Sequence, residues 1–400
     1  SKQLLNMKSQ QFWVNIEDPH FFAVAYFAVV LTGNIAILSR NRQELIRNST
    51  DLGEWNTIDI DNVKSGIINS KIVTFSSESD FEKCCTMVCS SGTTSKVKLV
   101  RLSQKNICSD MVGGMRNYEY TPTARYLNIL PYYHMFGIVA DLLGILYSGG
   151  TICVCKNKLD FFHELAYFKP ECMNLPPILV SGLSKLVASG QFKKMTGNNL
   201  RKIMCAGDKA SIKDIVALKE CGTYVYAAYG LTECSPCVSL NRDYFYKAGS
   251  AGIPLDCNQI RIALDNEIYV KGSNVMLGYV GETDIKAGTW FSTGDLGYID
   301  EDGFLFITGR KSNLIVFSDG TKIMPELIEN ELNQLNNIES RLCLVNGRLS
   351  LTIVTEKGKL SSAEKNAIIK IKELLGPHPL TDIIVQDKPL QRNALGKIIR

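Results

Sequence analysis

Residues 87–98, MVCSSGTTSKVK, set Ser90, Ser91, Gly92, Thr93 and Thr94 between an apolar strand and Lys98. Backbone N–H groups exposed by a glycine-containing loop, four hydroxyls and an ammonium can converge on a polyanion, so this stretch reads as a phosphate-binding loop. It lacks the GxxxxGK[ST] spacing that delivers phosphates to a helix N-terminus and is therefore not a Walker loop. Three further strings follow it in order: YGLTECSP at 229–236, FSTGDLGYIDEDGFLFITGR at 291–310 and LQRNALGKIIR at 390–400.

Four strings in this order resemble the adenylate-forming superfamily of acyl-CoA synthetases, peptide-synthetase adenylation domains and luciferases. The resemblance runs from about residue 12 to the end of the chain. TECSPCVSLNRDYFYKAGSAGIPL, VKGSNVMLGYV and GRKSNLIVFSDGTKIMPELIENEL look most like bacterial long-chain fatty-acid CoA ligases. In that family a carboxylate attacks the α-phosphate of ATP while pyrophosphate leaves. Two anions must meet, so neutralising charge is the main demand, ahead of proton transfer.

The resemblance implies a role for each residue. The loop from Ser90 to Lys98 would hold the β- and γ-phosphates, Thr232 would hydrogen-bond the α-phosphate, and Glu233 would coordinate Mg²⁺, a hard cation suited to carboxylate and phosphate oxygens. Tyr229, between Ala228 and Gly230, would stack on adenine, with Ala206, Gly207, Asp208 and Lys209 as the opposite wall. Asp295 would accept both ribose hydroxyls through its two oxygens, and Arg310 would add a second ribose contact. Lys397 would be carried to the acyl and α-phosphate oxygens by a small domain turning about a hinge at Lys311-Ser312.

His134, in LPYYHMFGI, stands where acyl- and aryl-CoA synthetases carry a histidine beside the substrate carboxylate. Amino-acid-activating relatives usually place an aspartate in this region. None of residues 131–137 is acidic, and an α-ammonium would lie unpaired there. The sequence departs from the family pattern at Ser95, Val97 and Leu99, where Gly, Pro and Gly are usual, which reduces the loop's backbone freedom. Ser312 replaces the usual Asp or Lys of the hinge. The chain is also shorter than typical relatives before the loop and in the last domain.

The elements that must position these residues follow from periodicity. Short apolar runs at 71–75, 126–130, 151–154 and 202–205 alternate with helical stretches at 141–148 and 212–221, as parallel strands with crossover helices do. From Asp265 the texture changes to antiparallel β-structure, with Asp302-Gly303 predicting a tight hairpin. After Arg310, Pro325 opens a helix to Leu332, Asn346-Gly347 marks a second hairpin, and Ser361 with Glu364 forms a capping box that starts a helix to Leu375. The expected fold is therefore α/β: a large multi-layer α/β domain over 1–310 with a β-rich end, then a small mobile α+β lid over 311–400. Four hundred residues exceed what one core usually serves.

Composition narrows the function classes. The chain is 45 % hydrophobic and 21 % charged, with 44 basic against 40 acidic residues and no dense Lys/Arg run, which argues against a nucleic-acid partner. Its 13 cysteines are odd in number and scattered, which fits small buried thiols in a reducing compartment better than a disulfide framework. Cys234 and Cys237 have CxxC spacing but lack the second pair or the histidines of a zinc site. Residues 21–38 carry no charge over 18 positions, yet Gly33 and Asn34 interrupt them, so a helix to Leu31, a turn and a strand are expected rather than a membrane span. No basic leader precedes this stretch, and a cytoplasmic location is expected.

The sequence is thus read as an ATP- and Mg²⁺-dependent ligase that makes an acyl adenylate and passes the acyl group to a thiol. Coenzyme A with a fatty acid is the first choice. The phosphopantetheine of an acyl carrier protein is the rival acceptor, and a degenerate nucleotide-binding protein without catalysis is the rival class.

Overall fold

The computed structural model describes the chain apart from residues 1–3, 5, 6, 8, 48–51, 69–80, 91–97, 119, 318, 334–337, 346, 347, 356, 357, 376, 377, 379 and 393–400. The expected strand at 71–75, Ser91 to Thr94 of the loop, the departures Ser95 and Val97, the Asn346-Gly347 turn and Lys397 lie outside the described residues.

The first sheet runs in the order Gly278–Tyr279, Leu99–Ser103, Cys84–Cys89, Ile35–Leu38, Gln11–Val14 and Asn56–Ile58. Its last four strands are parallel, whereas Cys84–Cys89 and Leu99–Ser103 are antiparallel neighbours. The phosphate-loop string therefore joins two adjacent strands, and the helix Gln104–Tyr118 starts only after the second. Apolar residues 21–38 divide as expected. Asp18 caps the helix Pro19–Leu31 by accepting from the backbone N–H groups of His20 and Phe21, Gly33 turns the chain at φ 77°, and Ile35–Leu38 enters the sheet. Among the described residues no helix is long and apolar enough to cross a membrane.

The second sheet has the order Ile253–Pro254, Cys237–Leu240, Tyr224–Gly230, Lys202–Cys205, Cys172–Leu175, Arg125–Asn128 and Thr151–Val154. The five strands from Tyr224–Gly230 onward are parallel. Helices Phe161–Phe168, Pro177–Ala188 and Ile212–Glu220 bury Phe161, Leu165, Val180, Leu183, Ile215 and Leu218 against them. The stretch expected as a helix over 141–148 is a π-helical segment Gly137–Gly144 continuing as Ile145–Ser148.

The all-antiparallel third sheet begins at Asn258, earlier than the textural change at Asp265. The third sheet runs Asn258–Ile262, Glu267–Gly272, Phe291–Ile299, Leu305–Arg310. The hairpin over Asp302-Gly303 is wider than expected, because the Asp300 carboxylate accepts from the backbone N–H groups of Asp302 and Phe304 and closes a five-residue loop over 300–304. Beyond Arg310 the chain builds a separate apolar cluster that includes Leu332, Leu342, Leu351, Ile353 and Ile371. It lies between helices Pro325–Asn333 and Ser362–Leu374 and the strands Glu339–Val345, Arg348–Val354 and Leu380–Gln386. The capping box of Ser361 and Glu364 is present.

Candidate active site

The second and third sheets and the elements after Arg310 enclose a cavity of about 1180 Å³. One wall is the turn at 230–236, which reverses Tyr224–Gly230 into Cys237–Leu240 through the single 3₁₀ turn Thr232–Cys234. A Cβ on Gly230 would overlap the Pro236 carbonyl oxygen, so only glycine lets the two limbs close. The turn is braced from behind. The Asp110 carboxylate accepts from the Cys237 N–H and from Asn274 Nδ2, both at 2.9 Å. Asn274 also donates to the Cys234 carbonyl at 2.9 Å, Ser235 Oγ donates to the Asn274 carbonyl at 2.8 Å, and the Met276 N–H donates to the Glu233 carbonyl at 2.8 Å. With the backbone held, Thr232 and Glu233 face the cavity.

The third sheet supplies a carboxylate and a cation in register: Asp295 pairs with Arg310 across adjacent strands, with Arg310 Nε 3.8 Å from Asp295 Oδ1. Tyr229 donates its hydroxyl to Asp295 Oδ2 at 2.7 Å. Burial and the Asp295 charge both push the Tyr229 phenol well above its usual pKa, so it stays a donor. Ala206, Gly207, Asp208 and Lys209 leave the strand Lys202–Cys205 and line the same cavity. Gly207 adopts φ 97°, a conformation that a side chain would strain.

His134 lines the cavity from the turn that precedes the π-helical segment, with its Nε2 buried and without a hydrogen-bond partner. Burial, reinforced by the positive charges of Lys158 and Arg40, lowers its pKa to about 4. The ring is thus neutral at physiological pH.

The described ends of the phosphate-loop string are joined at their base. Ser90 N–H donates to the Lys98 carbonyl at 2.8 Å, and Lys98 N–H donates to Ser90 Oγ at 3.3 Å. Ser90 lines the cavity, while Lys98 does not. Its ammonium pairs with Glu282 at 2.9 Å and sits over the ring of Tyr279. Tyr279 in turn donates to Glu233 Oε1 at 2.9 Å. At the junction after Arg310, Lys311 pairs with Glu267 at 2.7 Å and Asp265 at 2.8 Å, and Ser312 contacts the amide of Asn313. Asn313, Glu326, Glu339 and Arg392 close the cavity from the far side.

Sequence reasoning missed Asp110, Asn274 and Tyr279. Asn274 and Tyr279 stand inside VKGSNVMLGYV, and Asp110 belongs to a buried stripe Asn106, Asp110, Gly113 and Asn117 at helical spacing, an unusually polar set for a core-facing helix. A further polar group, Asp141, is buried and accepts from Asn128 at 2.7 Å and Asn174 at 2.6 Å; burial raises its pKa to about 7.

Among the described residues no cluster of three or more His, Cys, Asp or Glu could hold a metal. A lone carboxylate such as Glu233 fits Mg²⁺, which keeps waters and takes most of its other ligands from phosphates.

The AMP-binding enzyme family profile matches residues 30–280, more than half of the chain. The chain belongs to this adenylate-forming family. It is 30 % identical to the 2-succinylbenzoate–CoA ligase of Bacillus cytotoxicus over 354 residues, covering 82 % of this chain and 71 % of the relative. It is 33 % identical to the 2-succinylbenzoate–CoA ligase of Bacillus cereus over 273 residues, covering 64 % of this chain but only 55 % of the relative. The adenylate-forming fold extends over nearly all of it: the o-succinylbenzoate CoA synthetase of Bacillus subtilis, solved with its acyl-adenylate intermediate, superposes with a TM-score of 0.82 at 25 % identity, over 98 % of this chain and 87 % of that one. The expected nearness to long-chain fatty-acid ligases is corrected accordingly, since these relatives are named for an aromatic keto acid.

Proposed function

We propose that this adenylate-forming chain activates an aromatic carboxylic acid of the 2-succinylbenzoate kind with ATP and transfers the acyl group to coenzyme A. The observation that carries the reading is the convergence of Thr232, Glu233, Asp295, Arg310 and His134 on one cavity, with the names of the relatives supporting the acid and the acceptor.

In the first half-reaction a carboxylate oxygen of the acid forms a bond to the α-phosphorus, and the bond from that phosphorus to pyrophosphate breaks. Tyr229 packs against the adenine while Asp295, oriented by the Tyr229 hydroxyl and paired with Arg310, accepts the ribose hydroxyls. Thr232 donates to the α-phosphate. Ser90, Ser91, Gly92, Thr93, Thr94 and Lys98 hold the β- and γ-phosphates. Glu233 would hold Mg²⁺, whose charge screens the phosphate oxygens. A neutral His134 adds a hydrogen bond beside the acid's carboxylate without fixing it as an ion pair. Lys397 delivers a cation to the oxygens on which charge develops, a kind of contact whose loss typically costs on the order of a hundredfold in rate.

In the second half-reaction the thiol attacks the acyl carbonyl and AMP leaves. Residues 311–400 act as the lid, and Lys311-Ser312 is the turning point that carries Lys397 in for the first step and away for the second. Acid-dependent ATP–pyrophosphate exchange tests the whole reading. Exchange with 2-succinylbenzoate or simple aryl acids is expected, with fatty acids weaker and amino acids inert. Exchange confined to amino acids, or none with any acid, contradicts it. Thioester formation with free coenzyme A, set against a phosphopantetheinylated carrier protein, then decides the acceptor.

A further inference from the structure

Glu233 and Lys98 reach the site from different sheets. Glu233 stands on the turn of the second sheet, and Lys98 precedes Leu99–Ser103 of the first. They meet at one side chain. Tyr279 belongs to the short strand Gly278–Tyr279, which pairs antiparallel with Leu99–Ser103 at the sheet edge, Tyr279 opposite Val100. Its hydroxyl donates to Glu233 Oε1 at 2.9 Å, and the Lys98 ammonium lies 4.2 Å from the centre of its ring.

We propose that Tyr279 is a positioning residue that sets the Glu233 carboxylate and the Lys98 ammonium relative to each other for one metal-bound triphosphate. The proposal rests on the reading given above. Mg²⁺ demands near-octahedral geometry, so a carboxylate that rotates freely is a poor ligand. A hydrogen bond to Oε1 fixes the carboxylate plane and leaves Oε2 to the metal, as the partners behind metal ligands commonly do. The ring face keeps the cation near the loop. Glu282, 2.9 Å from Lys98, satisfies the ammonium as a phosphate oxygen would, and both partners are about half exposed (49 % and 52 %), so the exchange for a phosphate is cheap.

The two contacts use different parts of one residue, and two substitutions separate them. Tyr279→Phe removes only the hydroxyl, and Tyr279→Leu removes the ring as well. The probes are α,β-methylene-ATP, Mn²⁺ followed by electron paramagnetic resonance, and AMP, all with the full chain. In Tyr279→Phe, Mn²⁺ affinity of the nucleotide complex is expected to fall about tenfold, the usual cost of losing such a partner, while metal-free analogue binding stays within about twofold. Tyr279→Leu should weaken metal-free binding of the analogue too, and neither change should alter AMP binding. Parent-like Mn²⁺ affinity in Tyr279→Phe overturns the proposal, as does an equal loss of AMP, analogue and metal binding in that variant. A parent chain that binds no analogue overturns the functional reading and the proposal with it.

Discussion

His134 enters the cavity wall as a neutral ring because burial and the charges of Lys158 and Arg40 hold its pKa down to about 4. Between pH 6.5 and about 4 the unfolded chain therefore binds a proton at this ring that the folded chain does not. Stability resting on the neutral ring is present above pH 6.5 and lost as pH falls toward 4, at up to about 1.4 kcal/mol per pH unit. His134→Asn should show a shallower loss of stability across that window in denaturant titrations; equal slopes for both chains contradict the assignment. The same substitution should lower acid-dependent exchange about a hundredfold if the ring touches the reacting carboxylate, and full activity would remove it from the site. The place of His134 was legible from its string and the family pattern, but its charge state was not, since Arg40 and Lys158 are remote in sequence. Tyr279 was hidden for a similar reason. Its string suggested membership of a motif, and only the sheet edge brings its hydroxyl to Glu233.

The turn at 230–236 depends on elements that do not adjoin it in sequence: the helix Gln104–Tyr118 through Asp110, and the segment after Glu267–Gly272 through Asn274. Asp110→Ala strands the Cys237 N–H, at a cost of about 1–3 kcal/mol for a buried group left unpaired, while the Asn274 amide keeps the Cys234 carbonyl as an acceptor. Chemical denaturation should show that loss, and Asp110→Asn, which keeps an acceptor, should recover much of it. Equal stability of the alanine variant would make the brace incidental. At this scale the sequence was most readable where local signals agree. The strands at 151–154 and 202–205 lie at their expected limits, and the Ser361–Glu364 capping box starts its helix as expected. The π-helical segment was unreadable because its periodicity is that of any apolar helix, and the hairpin at 300–304 widened because Asp300 offers its carboxylate to two backbone donors.

Across the whole chain, the α/β class and the change to antiparallel structure were legible in composition and periodicity, whereas the single cavity shared by three bodies of structure was not, since it is made by packing between them. The proposed division of labour separates two half-reactions. Lys397→Ala should depress acyl-adenylate formation about a hundredfold and leave thioester formation from supplied acyl adenylate largely intact; equal loss of both in a folded variant contradicts it. The proposed turning point bears a further consequence. Lys311 is clamped by Asp265 and Glu267 of the third sheet, one carboxylate half exposed and the other buried. In the proposed swing of the last ninety or so residues that clamp is a contact to be loosened, and the junction would then act as a brake tuned by dissolved salt. Going from about 0.1 M to about 1 M shortens the screening length from roughly 10 Å to roughly 3 Å. At saturating substrates, turnover of the parent should therefore rise with ionic strength before other effects intervene, while Lys311→Met should start faster and respond little, giving the enzyme a speed set by its ionic surroundings as well as by its chemistry.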